Sequence, residues 1–304
     1  NVSREMLQNN PAVAKISKSL VGKILRELKK VSEKNADGYK IFWKEYGAVL
    51  KEGLYEDAER KEALLDLCRF STNENDDPIS LSEYVEKMPE KQKDIYYISA
   101  ETKDQALASP HLEGFKSKKI PVLIMTDAID QFWLPMVGSF KEKKFTSITQ
   151  GQINLDDLDE KNKDKKKDDK NEKEKKDKEY VDLVAQLKVV LGDQVKDIRL
   201  SSKLTDSPVC LVADEGDMDI AMEQLMAQRD TNYKGAPRIL EINGDHSLIK
   251  NMKSLLSKKE NNDLVSDAGT LLFEQARLME GKMPADPAQF SKIMNQFLLK
   301  AIPN

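Results

Sequence analysis

Histidine and cysteine are almost missing from this chain of 304 residues, which holds two of each: His111, His246, Cys68 and Cys210. The cysteines lack CxxC spacing and histidine partners, so both read as inert buried thiols, with Cys68 on the apolar face of a helix. The histidines lie in Pro-His-Leu and Asp-His-Ser contexts that match no nucleophilic triad and read as structural. No HExxH, Walker loop or GxGxxG occurs, which leaves metal hydrolysis and dinucleotide binding without support and no metal site expected. The longest apolar stretch, Ile120 to Met125, is far below the ~18 residues of a membrane span. With no secretory signal at its start, the expectation is a soluble cytoplasmic protein without a membrane partner. An excess of one charge is lacking too: 49 basic against 53 acidic residues leave a net of −4, which argues against nucleic acid as a partner.

Charged residues are abundant, at 34% against an average near 25%. The length suggests about two domains of roughly 150 residues, each able to bury a core. Apolar groups at Val13, Ile16, Leu20, Ile24, Leu28 and Val31 form a stripe of threes and fours that predicts a long amphipathic helix over residues 11 to 33, opened by Pro11. Helices at about 37 to 50 and 58 to 70 follow, which together suggest a helical coil. The period then changes. Asp94 to Ser99 and Ile120 to Met125 are short Ile, Tyr and Val-rich runs flanked by helical segments, the alternation of a small α/β layer whose central strand is buried on both faces.

From Asp159 to Glu179 every residue is Lys, Asp or Glu except Asn162 and Asn171, a run that cannot bury a core. It would reach ~32 Å as a helix or ~25 Å as a coil, enough for a linker either way. Helix is expected toward its end, where Tyr180, Leu183, Leu187 and Leu191 form a stripe before Gly192. Strands at about Val195 to Leu200, Val209 to Ala213 and Ile239 to Ile242 mix with helices thereafter. Two apolar helices close the chain over residues 262 to 280 and 287 to 302, the second begun by Asp286 and Pro287. The fold class expected is α+β: a helical coil with a small α/β layer, then a mixed α+β domain ending in a helix hairpin.

The opening decamer Asn-Val-Ser-Arg-Glu-Met-Leu-Gln-Asn-Asn places Arg4 in the first turn after a Ser3 cap, with Gln8 one turn on. A guanidinium beside free helix N–H groups suits a phosphate. Together with Trp43-Lys-Glu-Tyr-Gly47, Glu52-Gly-Leu-Tyr-Glu-Asp57, Tyr84-Val-Glu-Lys-Met-Pro89, Asp94-Ile-Tyr-Tyr-Ile98, Leu191-Gly-Asp-Gln-Val-Lys-Asp-Ile-Arg-Leu200, Leu204-Thr-Asp-Ser-Pro208 and Met294-Asn-Gln-Phe-Leu298, this segment resembles the heat-shock protein 90 chaperones in their bacterial form. The resemblance spans nearly the whole chain apart from residues 156 to 179. It implies a fragment holding the later part of a middle domain (1–153), a charged linker (154–179) and a C-terminal dimerisation domain (180–304). In the family, Arg4 and Gln8 would contact the γ-phosphate of ATP held, with Mg, by an upstream domain. No cofactor is then expected in this fragment, which alone should be inactive as an ATPase.

Two surfaces carry the rest of the expectation. The closing helices present Leu264, Ala268, Leu271, Leu272 and Met279, then Phe290, Ile293, Met294, Phe297 and Leu298. Burying about six large side chains per chain would yield ~18 to 36 kcal/mol gross for a pair, above the ~4 to 15 kcal/mol cost of association. The resemblance likewise implies a homodimer through this hairpin. Met218, Met222, Leu225 and Met226 form an adaptable stripe of the kind found at promiscuous binding surfaces, preceded by Asp214, Glu215 and Asp217 in what reads as a first helical turn. The matching helix of the family touches unfolded clients. Phe132 and Trp133 align near an aromatic client contact, although Pro135 departs from the family's polar residue. The competing reading is a non-catalytic dimeric scaffold without client binding.

Overall fold

The computed structural model describes residues 10–158, 175–230, 233, 235–256 and 261–302. Helix α1 (Pro11–Lys34) starts where the Asn10 side chain accepts the Ala12 N–H at 2.9 Å and proline occupies the first turn. Asn35 then joins α1 to α2 (Ala36–Glu56), its side chain accepting the Gly38 N–H at 3.0 Å. Helix α3 (Lys61–Leu67) completes the coil.

Of the α1 stripe only Leu28 faces the core. Val13, Ile16, Leu20, Ile24 and Val31 are exposed, Ile16 at 58%, whereas Leu25 is buried with Val21 and Leu28 packed beside it. The apolar arc of α1 is wider than one contact can use, and α2 and α3 take the 21/25/28 edge of it. The third helix also ends earlier than its pattern suggests. Cys68 is an extended residue that caps α3 rather than lying on a helix face, and Arg69 opens a strand.

That strand, β1 (Arg69–Thr72), belongs to a six-stranded sheet with β2 (Ile79–Ser80), β3 (Ile95–Ser99), β4 (Leu123–Met125), β5 (Ser139–Phe140) and β6 (Lys143–Ser147) in the order β2-β1-β4-β3-β6-β5. Central β3 runs parallel to β4 and β6, pairing Ile98 with Ile124 and Ile95 with Phe145. Both faces of the sheet are covered, as parallel strands require. One carries Ile95, Leu123, Trp133 and Phe145 against the helical coil, and the other carries Tyr96, Ile98, Ile124 and Phe115. Helix α4 (Leu81–Lys87), begun by a reciprocal Ser80–Glu83 capping box, connects β2 to β3. Short helices α5 (Lys103–Leu107) and α6 (Glu113–Ser117) cross from β3 to β4, and α7 (Asp130–Val137) follows β4. Packing continues past Ile153, since Leu155 is fully buried.

Between α2 and α7 lies a buried ion cluster. Lys51 Nζ donates to Asp127 at 2.8 Å and to Asp130 at 3.0 Å, and Asp130 also accepts the Trp133 indole N–H at 2.7 Å. Every charge in it has a partner, which is the condition for tolerating charge at that depth.

Most of the charged run lies outside the described residues; its end, residues 175–179, is helical. Helix α8 (Val181–Leu191) buries Leu183, Leu187 and Leu191 and stops at Gly192, whose φ of 49° favours glycine. Strands β7 (Val195–Leu200), β8 (Val209–Val212) and β9 (Arg238–Ile242) form a second sheet ordered β7-β9-β8, with β7 parallel and β8 antiparallel to β9. Helices α9 (Ile220–Arg229), α10 (Ser247–Leu256), α11 (Asn262–Met279) and α12 (Pro287–Ala301) complete the chain. At Gly269 of α11 a Cβ would sit 2.3 Å from the Leu187 side chain, so glycine there permits α8 and α11 to approach. The whole is a mixed α+β fold, as the sequence pattern implies.

A polar seam joins the two sheets. The Glu113 carboxylate accepts three consecutive backbone N–H groups, from Thr205 and Asp206 at 2.8 Å and from Ser207 at 3.1 Å. Lys203 Nζ, buried, donates to the Ile148 carbonyl at 2.9 Å, and Arg199 donates to the Gly151 carbonyl at 2.8 Å while pairing with Glu241. Backbone bonds from Ala213 to Thr149 and from Gly151 to Ala213 extend a strand-like bridge across the joint. Burial alone would raise the Glu113 carboxyl, but the bonds donated by Ser207, Asp206 and Thr205 outweigh it and hold it below its ordinary 4.5. Its stabilising contribution is therefore complete above that value and is lost as pH falls through the depressed one. Glu113→Gln should cost about 1 kcal/mol of stability near pH 7, given its partial exposure, and the gap from wild type should narrow toward roughly pH 3. Urea denaturation of both proteins at the two pH values checks this, and an equal gap at both would remove the charge from the account.

Candidate functional site

Helix α9 begins at Ile220, where Asp219 caps it by accepting the Ala221 N–H at 2.9 Å. Met218 therefore stands before the helix, exposed, and Asp214, Glu215 and Asp217 lie in the preceding turn rather than in a first helical turn. The two aspartates are locally satisfied, since Lys196 pairs with Asp214 at 2.8 Å and with Asp217 at 3.0 Å. One side of α9 is pinned: Ile220 is buried, and Glu223 is buried in an ion pair with Arg238 while accepting the Ala236 N–H at 2.7 Å. Met222, Leu225 and Met226 occupy the remaining faces and are half-buried.

The far end of α9 reaches across the seam. Gln228 donates to Glu101 at 3.2 Å, and the Arg229 guanidinium lies 6.0 Å from the centre of the Phe132 ring. Phe132 thus comes to the same end of α9 from the other sheet, half-buried and edge-on to exposed Tyr55 at 6.3 Å. Trp133 does not. It is fully buried, bonded to Asp130 and edge-on to Phe145 at 5.6 Å, so its expected role as a contact residue is corrected. Adjacent residues on a helix point about 100° apart, and α7 turns Phe132 outward and Trp133 into the core. Sequence reasoning missed Tyr55 and Met136, both exposed; the i, i+4 spacing of Phe132 and Met136 on α7 was the available signal.

The closing hairpin divides its apolar residues. Ala268 and Leu272 of α11 are buried with Val265, Phe273 and Ala276 against α8, and Ile293 of α12 is buried as well, so these three of the expected interface residues are committed within the chain. Leu264, Leu271, Phe290 and Phe297 are half-buried. Met279, Met294 and Leu298 are exposed, and so are Leu299, at 74%, and Ile302, which the sequence reading did not single out.

Arg4 and Gln8 lie outside the described residues. Among the described residues no group of three or more His, Cys, Asp or Glu is arranged to hold a metal ion, and no helix is long and apolar enough to cross a membrane. Both thiols are buried, which pushes Cys68 up to about 12 and raises Cys210 further, so neither is a nucleophile at neutral pH. His246 accepts the Leu248 N–H at 3.1 Å as a local cap, and His111 is buried at the seam.

These elements match known proteins along their whole length. The family described as Hsp90 protein matches residues 1–303. Proteins named Chaperone protein HtpG are 43% identical in Roseobacter denitrificans and 42% in Paramagnetospirillum magneticum, each over 99% of this chain and 48% of the relative. The one from Streptomyces coelicolor is 38% identical over 97% of this chain and 45% of its own length. The chain spans about half the length of the curated relatives it matches. A family match over almost every residue, with strands, seam and hairpin built from the matched sequence, makes this chain a member of the Hsp90 family of chaperones.

Proposed function

We propose that this chain is part of an ATP-dependent, homodimeric chaperone and that it binds non-native proteins on the surface formed by α9 and Phe132. The observation that carries this reading is that Met218 is exposed and Met222, Leu225 and Met226 are half-exposed on a helix whose far end meets Phe132, itself edge-on to the exposed Tyr55. Flexible thioethers and aromatic edges adapt to varied apolar shapes, and arginine and glutamine at the rim supply polar contacts without fixing a sequence. Arg4 and Gln8 act in the whole protein on the γ-phosphate of ATP, bound with Mg by residues outside this chain. Residues 1–153 and 180–304 serve as the later middle and C-terminal domains, with 154–179 as their linker, in the cytoplasm.

Pairing uses the hairpin's outer face. Only Met294, Leu298 and Leu299 of α12, with Ile302 just after it, remain largely free, so after allowing for their present burial two copies would gain ~7 to 14 kcal/mol gross, similar to the association cost. Met279 and the half-buried Phe290 then have to join for a tight dimer.

Met222→Asp with Met226→Asp should abolish suppression of client aggregation in a light-scattering assay while the far-ultraviolet circular dichroism stays native; equal suppression would leave a scaffold. Leu298→Asp with Leu299→Asp should weaken self-association at least ~100-fold in sedimentation equilibrium, and a wild type that stays monomeric at micromolar concentration would refute the pairing. In the whole protein, Arg4→Ala should lower ATP hydrolysis at least ~10-fold with little change in nucleotide affinity, and an unchanged rate would strip the arginine of its role.

A further inference from the structure

Methionine is divided sharply between the inside and the outside of this chain. Met125 and Met252 are buried, whereas Met218 is exposed and Met222 and Met226 each keep part of their surface open to water. The three stand four residues apart, and on α9 that spacing puts Met222 and Met226 on one face. The bonds that fasten this segment come from other groups. Asp219 accepts the Thr149 hydroxyl at 3.0 Å as well as the Ala221 N–H, Arg238 donates to the Met218 carbonyl at 3.2 Å, and Glu223 pairs with Arg238. The sulfur atoms are therefore accessible chemistry on a fixed helix, and altering them leaves its attachment in place.

The two thiols do not compete for an oxidant. A thiol reacts as its thiolate, and burial holds both Cys68 and Cys210 protonated at neutral pH. A thioether has no proton to lose, so access to its sulfur decides which methionine reacts. With a peroxide, a sulfur lone pair attacks one peroxide oxygen, the O–O bond breaks, and the other oxygen leaves as water. One thioether and one hydrogen peroxide give one sulfoxide and one water, sulfur losing the two electrons that the peroxide gains. The product carries a strongly polar S=O where a flexible apolar group stood. Facing water, that oxygen is solvated and costs the fold little. Pressed against an apolar segment without a donor, it lowers affinity about 10-fold.

We propose that Met218, Met222 and Met226 are reversible oxidation sites, and that their sulfoxides close the α9 surface to apolar segments of non-native proteins. This rests on the client-binding role of α9. Reopening takes a methionine sulfoxide reductase for each sulfoxide epimer. In that step two thiols are oxidised to a disulfide, the sulfoxide oxygen leaves as water and the thioether returns. The surface suited to varied partners is thereby also one that an oxidant can switch off without unfolding the chain.

The test treats the whole chain with hydrogen peroxide and follows each methionine by peptide mass spectrometry. Binding of a permanently unfolded probe, reduced and carboxymethylated lactalbumin, is measured in parallel by fluorescence anisotropy. Met218, Met222 and Met226 should gain oxygen well before Met125 and Met252, and binding should fall at least ~10-fold as they do. Both reductases with dithiothreitol should restore it. Met218→Leu with Met222→Leu and Met226→Leu, judged against its own untreated binding, should lose less than ~2-fold although Met279, Met283 and Met294 still oxidise. Should that variant bind no probe, the wild-type time course with its reversal decides alone. Undiminished binding once the three sulfoxides have formed overturns the proposal, as does an equal loss in the variant, which places the effect elsewhere. Oxidation of Met125 and Met252 in step with the three would show that peroxide unfolds the chain, and overturns it too. An untreated wild type that ignores the probe removes the client role of α9 itself, and this proposal with it.

Discussion

The three backbone bonds collected by the Glu113 carboxylate fix the geometry on which the rest of this molecule depends. Thr205, Asp206 and Ser207 lie in the loop leading into β8, and α9 follows β8 after a short turn. Holding that loop on α6 therefore sets where the methionine-bearing helix lies relative to Phe132. Gly114 shows how close the approach is: a Cβ there would sit 2.6 Å from the Lys203 carbonyl oxygen. The seam adds backbone bonds and buried charges to its apolar burial, and these make its specificity directional. Lys203 and Arg199 each carry charge to a carbonyl of the opposite unit, and Glu241 balances them from β9. Such a joint holds one register or none.

How legible this was in the sequence depended on whether each pattern had a single interpretation. Tyr180, Leu183, Leu187 and Leu191 before Gly192 offered one face and one stop, and the helix follows them. The strands around Val195, Val209 and Ile239 were equally plain, being short apolar runs between turn residues. Helix α1 was ambiguous because it carries two apolar edges, 13/16/20/24/31 and 21/25/28, and the pattern states that apolar faces exist without stating which neighbour takes which. Strand β1 was hidden by its own sequence, Arg-Phe-Ser-Thr, which continues the polarity of the preceding helix and has only Phe70 as an inward apolar anchor. Strand β6, beginning Lys143-Lys144, was hidden in the same way.

The candidate site was legible in part and for a related reason. The composition of the Met218 to Met226 segment marks adaptability, which is a property of side chains and survives without coordinates. The neighbourhood of Phe132 and Arg229 is a property of the seam and does not. Phe132 and Trp133, adjacent in sequence, separate at once when α7 docks, because the Lys51–Asp130 pair draws Asp130 inward and the indole N–H follows it three residues later. A buried ion cluster of this kind contributes little net stability against an apolar replacement, but it admits few rotations of the helix, and here the selected rotation is the one that exposes Phe132.

The same bookkeeping of faces explains what is left open. Ile16, Leu20 and Ile24 on α1 and Ile41 and Val49 on α2 stand exposed, although the core beneath them is closed. Scattered exposed apolar residues are ordinary on a folded surface, but a run of them along successive turns of one helix is not. The edge formed by Val21, Leu25 and Leu28 already satisfies α2 and α3, so the outer edge contributes nothing to this fold and costs solubility. The chain spans about half the length of the curated relatives it matches. An apolar edge with no internal use is the expected state of a helix that sits in the middle of a larger packed body, with neighbours on both sides. The outer face of α12 stands exposed in the same way. The exposed edge of α1 is mostly β-branched, with side chains suited to fixed packing, whereas α9 offers flexible thioethers that adapt to varied shapes.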